Sequence, residues 1–327
     1  MQRSIFLGAL GAATVASALP ARAAADASDV RLTTATGTLF GTLLIPAGVA
    51  KPPVAIIIAG SGPTDRNGNS PGLHLDMYRK LAEALADRGI ASLCYDKRGA
   101  GASALAAPPE NAKRFEVEVD DAAGWIATLR SDARFSSVLA IGHSEGSLVG
   151  MLAAAHNPID ATVSLEGAGF PIGAILRKQL APQLQPYPAL GQRVEAIITS
   201  LEHGKTVALD ADFPPGLQAL FRPSVQPYLI SWMKYDPRVA IQSLTCRITI
   251  IQGTHDVQVP IENGLALSAA KPSATYALIA GMTHVLTDDS GTTLAAQLSG
   301  AYADATRPLD ADMIGAVVTA AKPPLGR

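Results

Sequence analysis

A serine, an aspartate and a histidine lie in three separate glycine-bearing turns, each just beyond an apolar run of β character. Ser144 is the centre of Gly142-His143-Ser144-Glu145-Gly146, Asp256 ends Gly253-Thr254-His255-Asp256, and His284 ends Gly281-Met282-Thr283-His284. A neutral serine hydroxyl is a poor nucleophile. It attacks a carbonyl carbon once an imidazole takes its proton and a carboxylate orients that imidazole. The pattern G-x-S-x-G, with a strand before it and a helix after it, puts the serine on a strained turn that tolerates no side chain at either glycine, two residues before and after it. Attack on a carbonyl creates an oxyanion, which needs hydrogen-bond donors. One is expected from the N–H of Glu145, the residue after the nucleophile. The other is expected from the loop Gly60-Ser61-Gly62, with Ser61 N–H first and Gly62 next.

The remaining histidines, His74, His143, His156, His203 and His255, read as surface or satisfied core residues. His255 is the one rival for the base, but as the neighbour of Asp256 in an extended turn it points away from it. Asp236 and Asp288 are the weaker alternatives for the acid. Arg66 is expected to pair with Glu145 and so fix the Asp65-Arg66 loop.

The elements that must hold these turns alternate along the chain. Arg31 to Ala35 and Thr38 to Ile45 read as a hairpin around Thr36-Gly37. Val54 to Ala59, Ile90 to Tyr95, Ser137 to Ile141, Ala161 to Leu165, Arg247 to Gln252 and Thr275 to Ile279 are β-rich apolar runs. Such unbroken apolarity suits strands buried on both faces. Between them, His74 to Arg88, Phe115 to Arg130, Ser147 to Ala155 and Ile261 to Ala270 carry helical patterning, and Ala311 to Ala321 is a closing helix. The alternation predicts a mostly parallel sheet with helices on both faces. It stops over residues 170–243, where proline-rich joints separate helix-like pieces such as Arg193 to Leu201 and Gly216 to Phe221. A strandless stretch of that length is too long for a connection and reads as a helical cap inserted between two strands. The expected organisation is therefore a core of residues 24–169 and 244–327, a cap of residues 170–243, and a leader of residues 1–23. Tyr187, Phe213, Phe221, Tyr228 and Trp232 are among the cap's aromatics, either lining a pocket or forming a small core of its own.

The leader has a basic Met1-Gln2-Arg3, an apolar run from Ile5 to Leu19, and Ala21-Arg22-Ala23, the small residues of a cleavage site. The run is shorter than the roughly 20 residues of a spanning helix. Export to the periplasm or the medium is expected. Residues 1–23 hold Arg3 and Arg22 and no acid, so their removal leaves 24 of the 26 basic residues against 28 acidic ones. That balance argues against nucleic acid or an anionic membrane as partner. No His/Cys/Asp cluster has metal-ligand spacing, and no cofactor is expected. Cys94 and Cys246 fall on strands several positions apart, at about 4.8 Å per step, so two free, buried thiols are expected.

Six segments, AGSGPTDRNGNS (59–70), YDKRGAGAS (95–103), GHSEGS (142–147), YDP (235–237), QGTHDVQVP (252–260) and GMTH (281–284), occur together and in order. On these, residues 38–320 resemble bacterial α/β-hydrolase esterases of the serine-aminopeptidase-like branch. The resemblance implies cofactor-independent hydrolysis of small carboxylic esters through an acyl-enzyme, with a mobile cap shaping the pocket. The chain departs from the commoner pattern at Ala59, where a histidine often stands, and at Asn67, where relatives usually have an acid. An aminopeptidase on the same scaffold would need an acidic trap for the substrate amine. The cap's Glu195, Glu202, Asp210 and Asp212 are mixed with Arg193, Lys205 and His203, as on a solvated helix surface. A non-catalytic binding protein would have no need of serine, acid and histidine together.

Overall fold

The computed structural model describes residues 25–210 and 212–322. The expected export leader, residues 1–23, lies outside the described residues. The chain folds around one eight-stranded sheet of order β1-β2-β4-β3-β5-β6-β7-β8. Strands β1 (Asp26–Thr34) and β2 (Gly37–Ile45) form the expected hairpin, and β2 runs antiparallel to β4 (Ala91–Tyr95). From β4 onward, β3 (Val54–Ile58), β5 (Val138–His143), β6 (Ala161–Leu165), β7 (Arg247–Gly253) and β8 (Thr275–Ile279) are all parallel. This is the α/β-hydrolase fold that the sequence patterns imply.

The central strands are apolar without alternation because both faces are covered. Val54, Ile56 and Ile58 of β3 pack on one face with α2 (Phe115–Ser131) and α3 (Glu145–His156). Ala55 and Ile57 face the other way, against α1 (Met77–Ala86) and α11 (Ala311–Ala321). Five helices lie between β6 and β7: α4 (Ile172–Leu184), α5 (Pro188–Glu202), α6 (Pro215–Phe221), α7 (Gln226–Trp232) and α8 (Pro237–Ser243). The first four share a separate cluster around Ile198, Leu201 and Phe221. Helix α8 instead contributes Ala240 and Ile241 to the main core, against α3 and α9 (Glu262–Ala270). Of these five aromatics, Phe213 and Phe221 are in the separate cluster, Tyr228 is in the main core, Trp232 is half-buried against both, and Tyr187 is exposed.

Cys94 on β4 and Cys246 just before β7 are both free, with β3, β5 and β6 between their strands. Cys94 is buried as expected. Cys246 is only half-buried, because it precedes the first residue of its strand; its Sγ lies 3.3 Å from Thr162 Oγ1. Among the described residues, no helix is long and apolar enough to cross a membrane.

Candidate active site

Parallel strands deliver their C-terminal loops to one edge of the sheet, and the three turns singled out above all lie there. Ser144 is the single residue between β5 and α3, and its backbone (φ 56°, ψ −123°) is in a region that side chains rarely occupy. The flanking glycines make the turn possible. A Cβ on Gly142 would come 2.2 Å from Gly146 O, and one on Gly146 would come 2.3 Å from Ile58 O. The serine is thus held out from the strand by a turn that only this sequence pattern closes.

His284 Nδ1–H donates to Asp256 Oδ2 at 2.7 Å, and His284 Nε2 is 3.1 Å from Ser144 Oγ. Serine, imidazole and carboxylate are in line although they come from three loops. The Asp256 carboxylate is buried, and its other oxygen accepts the N–H groups of Gln258 and Val259, both at 2.8 Å. Burial disfavours its charge, but the electrostatic pull of His284 and hydrogen bonds from His284, Glu166 and Val259 prevail and hold it below the ordinary aspartate range. The rivals sit elsewhere. His255 turns its Nδ1 to the Asp289 carbonyl, and Asp236 caps α8 while pairing with Arg238. Asp288 bridges back to Met282 through the backbone. His74, His156 and His203 are exposed.

His143 is a satisfied core histidine, but it is wired into the site. The His284 carbonyl can only accept, so His143 Nε2 carries the proton and donates to it at 2.8 Å. Nδ1 then accepts from Tyr78 Oη at 2.8 Å, and Tyr78 Oη in turn accepts from Gly60 N–H at 3.0 Å. Burial, followed by the neighbouring His284 charge, pushes the His143 imidazolium down to about 3. A chain of three hydrogen bonds therefore ties the Gly60 loop to the turn that carries His284. Tyr78 is the link that sequence reasoning missed; its place in the apolar repeat of α1 made it look like core alone.

Loop Gly60-Ser61-Gly62 follows β3 and passes close over the serine: a Cβ on Gly60 would lie 3.1 Å from Ser144 Cβ. Among the described residues, neither Ser61 N–H nor Glu145 N–H has an acceptor. Both are free to serve an oxygen bound at Ser144. The expected Arg66–Glu145 pair does not form. Arg66 reaches the other way, placing Nη2 2.8 Å from Asp96 Oδ2 and Nη1 2.8 Å from Asp29. Its planar fork fits a carboxylate that also accepts the Arg66 N–H at 2.7 Å. Glu145 is instead buried beside Lys97, whose Nζ is 2.9 Å from Glu145 Oε1. The sequence offered only a lysine inside Tyr95-Asp96-Lys97-Arg98, with nothing to say that it points inward.

Glu166, at the end of β6, is fully buried with a backbone in the left-handed region (φ 50°). Its carboxyl accepts from Gly253 N–H at 2.7 Å and from the Gln252 amide. Burial, and then the charge and hydrogen bond of Asp256, push it well above the ordinary glutamate range. Of the two neighbouring acids, Glu166 is the one that its surroundings favour holding a proton. Sequence reasoning passed over it because the end of β6 bears no motif.

Two cavities flank Ser144. One, of about 250 Å³, opens toward the inserted helices and is walled by Phe170, Ile175, Leu176, Leu229 and Trp232. The other, of about 120 Å³, lies on the far side, against Thr64, Ser70, Tyr78, His284 and Tyr302. Ser61, Ser144 and Gln258 border both. A larger groove of about 860 Å³ runs along α5, away from the serine. The acids of the inserted helices are engaged: Arg177 holds Glu195 and Glu202, and Arg193 holds Asp210 and Asp212.

Comparison with known proteins finds similarity to hydrolases. The family described as serine aminopeptidase, S33 matches residues 71–189. Esterase EstD of Thermotoga maritima is 26% identical over 222 residues, 68% of this chain and 50% of that protein. The chain thus spans about half the length of that curated relative. Among solved structures, Est1E from Butyrivibrio proteoclasticus superposes with a TM-score of 0.53 at 20% identity, covering 79% of this chain and 90% of that one. The Pyrococcus furiosus esterase Pf2001 gives 0.53 at 18% identity, covering 83% and 88%. At these identities the structural likeness shows the fold.

Proposed function

We propose that the chain is a serine carboxylesterase of the esterase and serine-aminopeptidase-like α/β-hydrolases, with Ser144, His284 and Asp256 as its triad. One observation carries the reading: a single imidazole lies within hydrogen-bond reach of both the Ser144 hydroxyl and a buried carboxylate. His284 Nε2 takes the serine proton as Oγ attacks the ester carbonyl. The Ser61 and Glu145 N–H groups receive the oxyanion, and Asp256 keeps Nδ1–H in place and stabilises the imidazolium. His284 then protonates the departing alcohol, and water releases the acyl group by the same steps in reverse order.

The cavities support a placement of the two halves of the substrate. The alcohol must leave beside His284, which lines the 120 Å³ cavity and not the other. The acyl chain then occupies the apolar 250 Å³ cavity under α4 and α7. That volume is below the roughly 300–1,000 Å³ of sites for drug-sized ligands. It suits short to medium acyl groups. Helices α4–α7 act as a cap over this side. The names of EstD, Est1E and Pf2001 support ester substrates. A peptidase would need a free carboxylate near the serine for the substrate amine, whereas the four cap acids are paired with arginines. We further propose that residues 1–23 are removed on export.

Hydrolysis of p-nitrophenyl esters across acyl lengths, wild type beside Ser144→Ala, tests the reading. Loss of the nucleophile is expected to lower kcat by about 10⁴–10⁶. Cleavage of aminoacyl anilides without ester turnover would replace an esterase by a peptidase. Inactivity on both, with no fluorophosphonate labelling of Ser144, would refute the triad.

A further inference from the structure

Lys97 is a charged residue in a place where charges are costly. Its side chain is 3% exposed, on the loop after β4, and belongs to neither the triad nor the cavities. An ammonium has three protons; two are donated here, and a third partner stands within ion-pair distance. Nζ donates to Gly60 O at 3.0 Å and to Glu145 Oε1 at 2.9 Å, and Glu118 Oε2 is 3.5 Å away. Glu118 is itself shared with Lys113, whose Nζ is 3.0 Å from Oε1. Burial disfavours the charge on Lys97, but Glu118 and Glu145 outweigh it and hold the ammonium protonated well above the usual lysine range.

Two of these three partners belong to the residues that frame the oxyanion. The Gly60 carbonyl and the Ser61 N–H are opposite ends of one peptide unit. That unit is planar and, as no cis bond occurs among the described residues, trans, so its C=O and N–H point in opposite directions. Fixing the oxygen with a cation therefore fixes the direction of the N–H. Rotation of this peptide would swing Ser61 N–H away from Ser144, and it would also break a charge-assisted hydrogen bond in a buried site. The cation draws electron density toward the carbonyl oxygen and makes the N–H a stronger donor. The other grip, on the Glu145 side chain, fastens the first residue of α3, whose N–H is the second donor.

We propose that Lys97 is the positioning residue of the oxyanion hole: one buried ammonium, bonded to the Gly60 carbonyl and the Glu145 carboxylate, sets both donor amides at once. This rests on the esterase reading of Ser144. The residue touches no substrate; it acts through the Ser61 peptide and through Glu145. Its effect belongs to the transition state, because an ester carbonyl needs these donors far less than the tetrahedral oxyanion does.

The test compares wild type with Lys97→Met on a p-nitrophenyl ester and on a trifluoromethyl ketone, whose serine adduct places an oxyanion in the hole. Displaced rather than deleted donors are expected to lower kcat by about 10–100-fold with KM changed by less than about threefold. Ketone affinity is expected to fall in step with kcat. Thermal unfolding, recorded beside the kinetics, separates this from lost stability, since a structural role lowers Tm but leaves kcat intact well below Tm. If Lys97→Met does not fold, Lys97→Met/Glu145→Gln serves instead. It leaves Glu118 its partner Lys113 and strands no buried charge, and the same losses are expected. A folded variant with wild-type kcat and ketone affinity would overturn the role of Lys97 while the esterase reading stands. A wild type that neither turns over esters nor binds the ketone would remove the esterase reading, and this inference with it.

Discussion

Acidification isolates the contribution of His143. The folded protein keeps this imidazole neutral down to about pH 3, whereas the unfolded chain protonates it near the ordinary value of 6.5. Below that value the unfolded state binds a proton that the folded state refuses, so stability falls as pH falls. The contribution is complete above pH 6.5 and is lost progressively toward pH 3. The cost rises toward about 1.4 kcal/mol per pH unit as the unfolded imidazole fills, so the step from pH 6.5 to 4.5 removes about 2 kcal/mol. Against a typical total of about 5–15 kcal/mol, that loss is large. Protonation also forces Nδ1 to become a donor, so the Tyr78 hydroxyl loses its acceptor. Urea unfolding of wild type and His143→Gln, at intervals between about pH 7.5 and 4.5, measures the effect as a difference of slopes. Tyr78, Asp256 and His284 are unchanged in the variant, so what they contribute directly largely cancels. The variant is expected to start less stable, because the Tyr78 and His284 hydrogen bonds are altered, but to lose stability more slowly. Parallel curves for the two proteins would refute the neutral, buried assignment and the tautomer drawn from it.

Glu166→Gln mimics the protonated acid. The folded-state pKa of Glu166 is raised, so its stabilisation is present below the ordinary value of 4.5 and is lost as pH rises. The variant is expected to be close to wild type in mild acid and to have the flatter Tm profile toward alkaline pH; identical profiles would contradict this. Leu176→Trp adds bulk to the apolar cavity and is expected to cut kcat/KM for long acyl esters by about 10-fold or more, with acetate esters little changed. A uniform loss across chain lengths would mean the acyl group lies elsewhere. Burial pushes the Cys94 thiol up to about 12, so a thiol reagent is expected to find Cys246 alone in the native protein and both cysteines after denaturation.

Much of this fold is written in local patterns. The apolar runs Ala161 to Leu165 and Thr275 to Ile279 are strands over those same residues, and the closing helix occupies Ala311–Ala321. Buried parallel strands and their helices follow from composition and periodicity, which are local properties. Ser144, Asp256 and His284 stood out because a strained turn has its own sequence signature and the fold fixes the order of its loops. Charge pairing has no such signature. Arg66 and Glu145 looked like partners because both were assigned to loops around the serine, yet Asp96 and Lys97, adjacent in sequence, claim one each. Which of two neighbours faces inward after β4 depends on the twist of that loop. The inward lysine and the upward shift of Glu166 are likewise products of distant segments meeting. Helix α1 begins at Met77, three residues later than its apolar spacing proposed, because Asp76 takes a left-handed conformation that starts the helix there.

Strands β6 and β7 are hydrogen-bonded neighbours, yet the whole excursion from α4 to α8 takes place between them. Because the two strands are parallel, the chain leaves after Leu165 and re-enters at Arg247, which lies beside Ala161 at the other end of the strands, roughly 13 Å along the sheet. An excursion whose two ends are fixed by the sheet can be lengthened or shortened at small entropic expense, since closure scales only with the logarithm of loop length. Serine, aspartate and histidine all lie outside it, on turns whose geometry the sheet dictates. Substrate choice and bond-breaking machinery are therefore separately inheritable: mutation can remodel α4 and α7, and with them the apolar wall, while the reacting atoms stay in register.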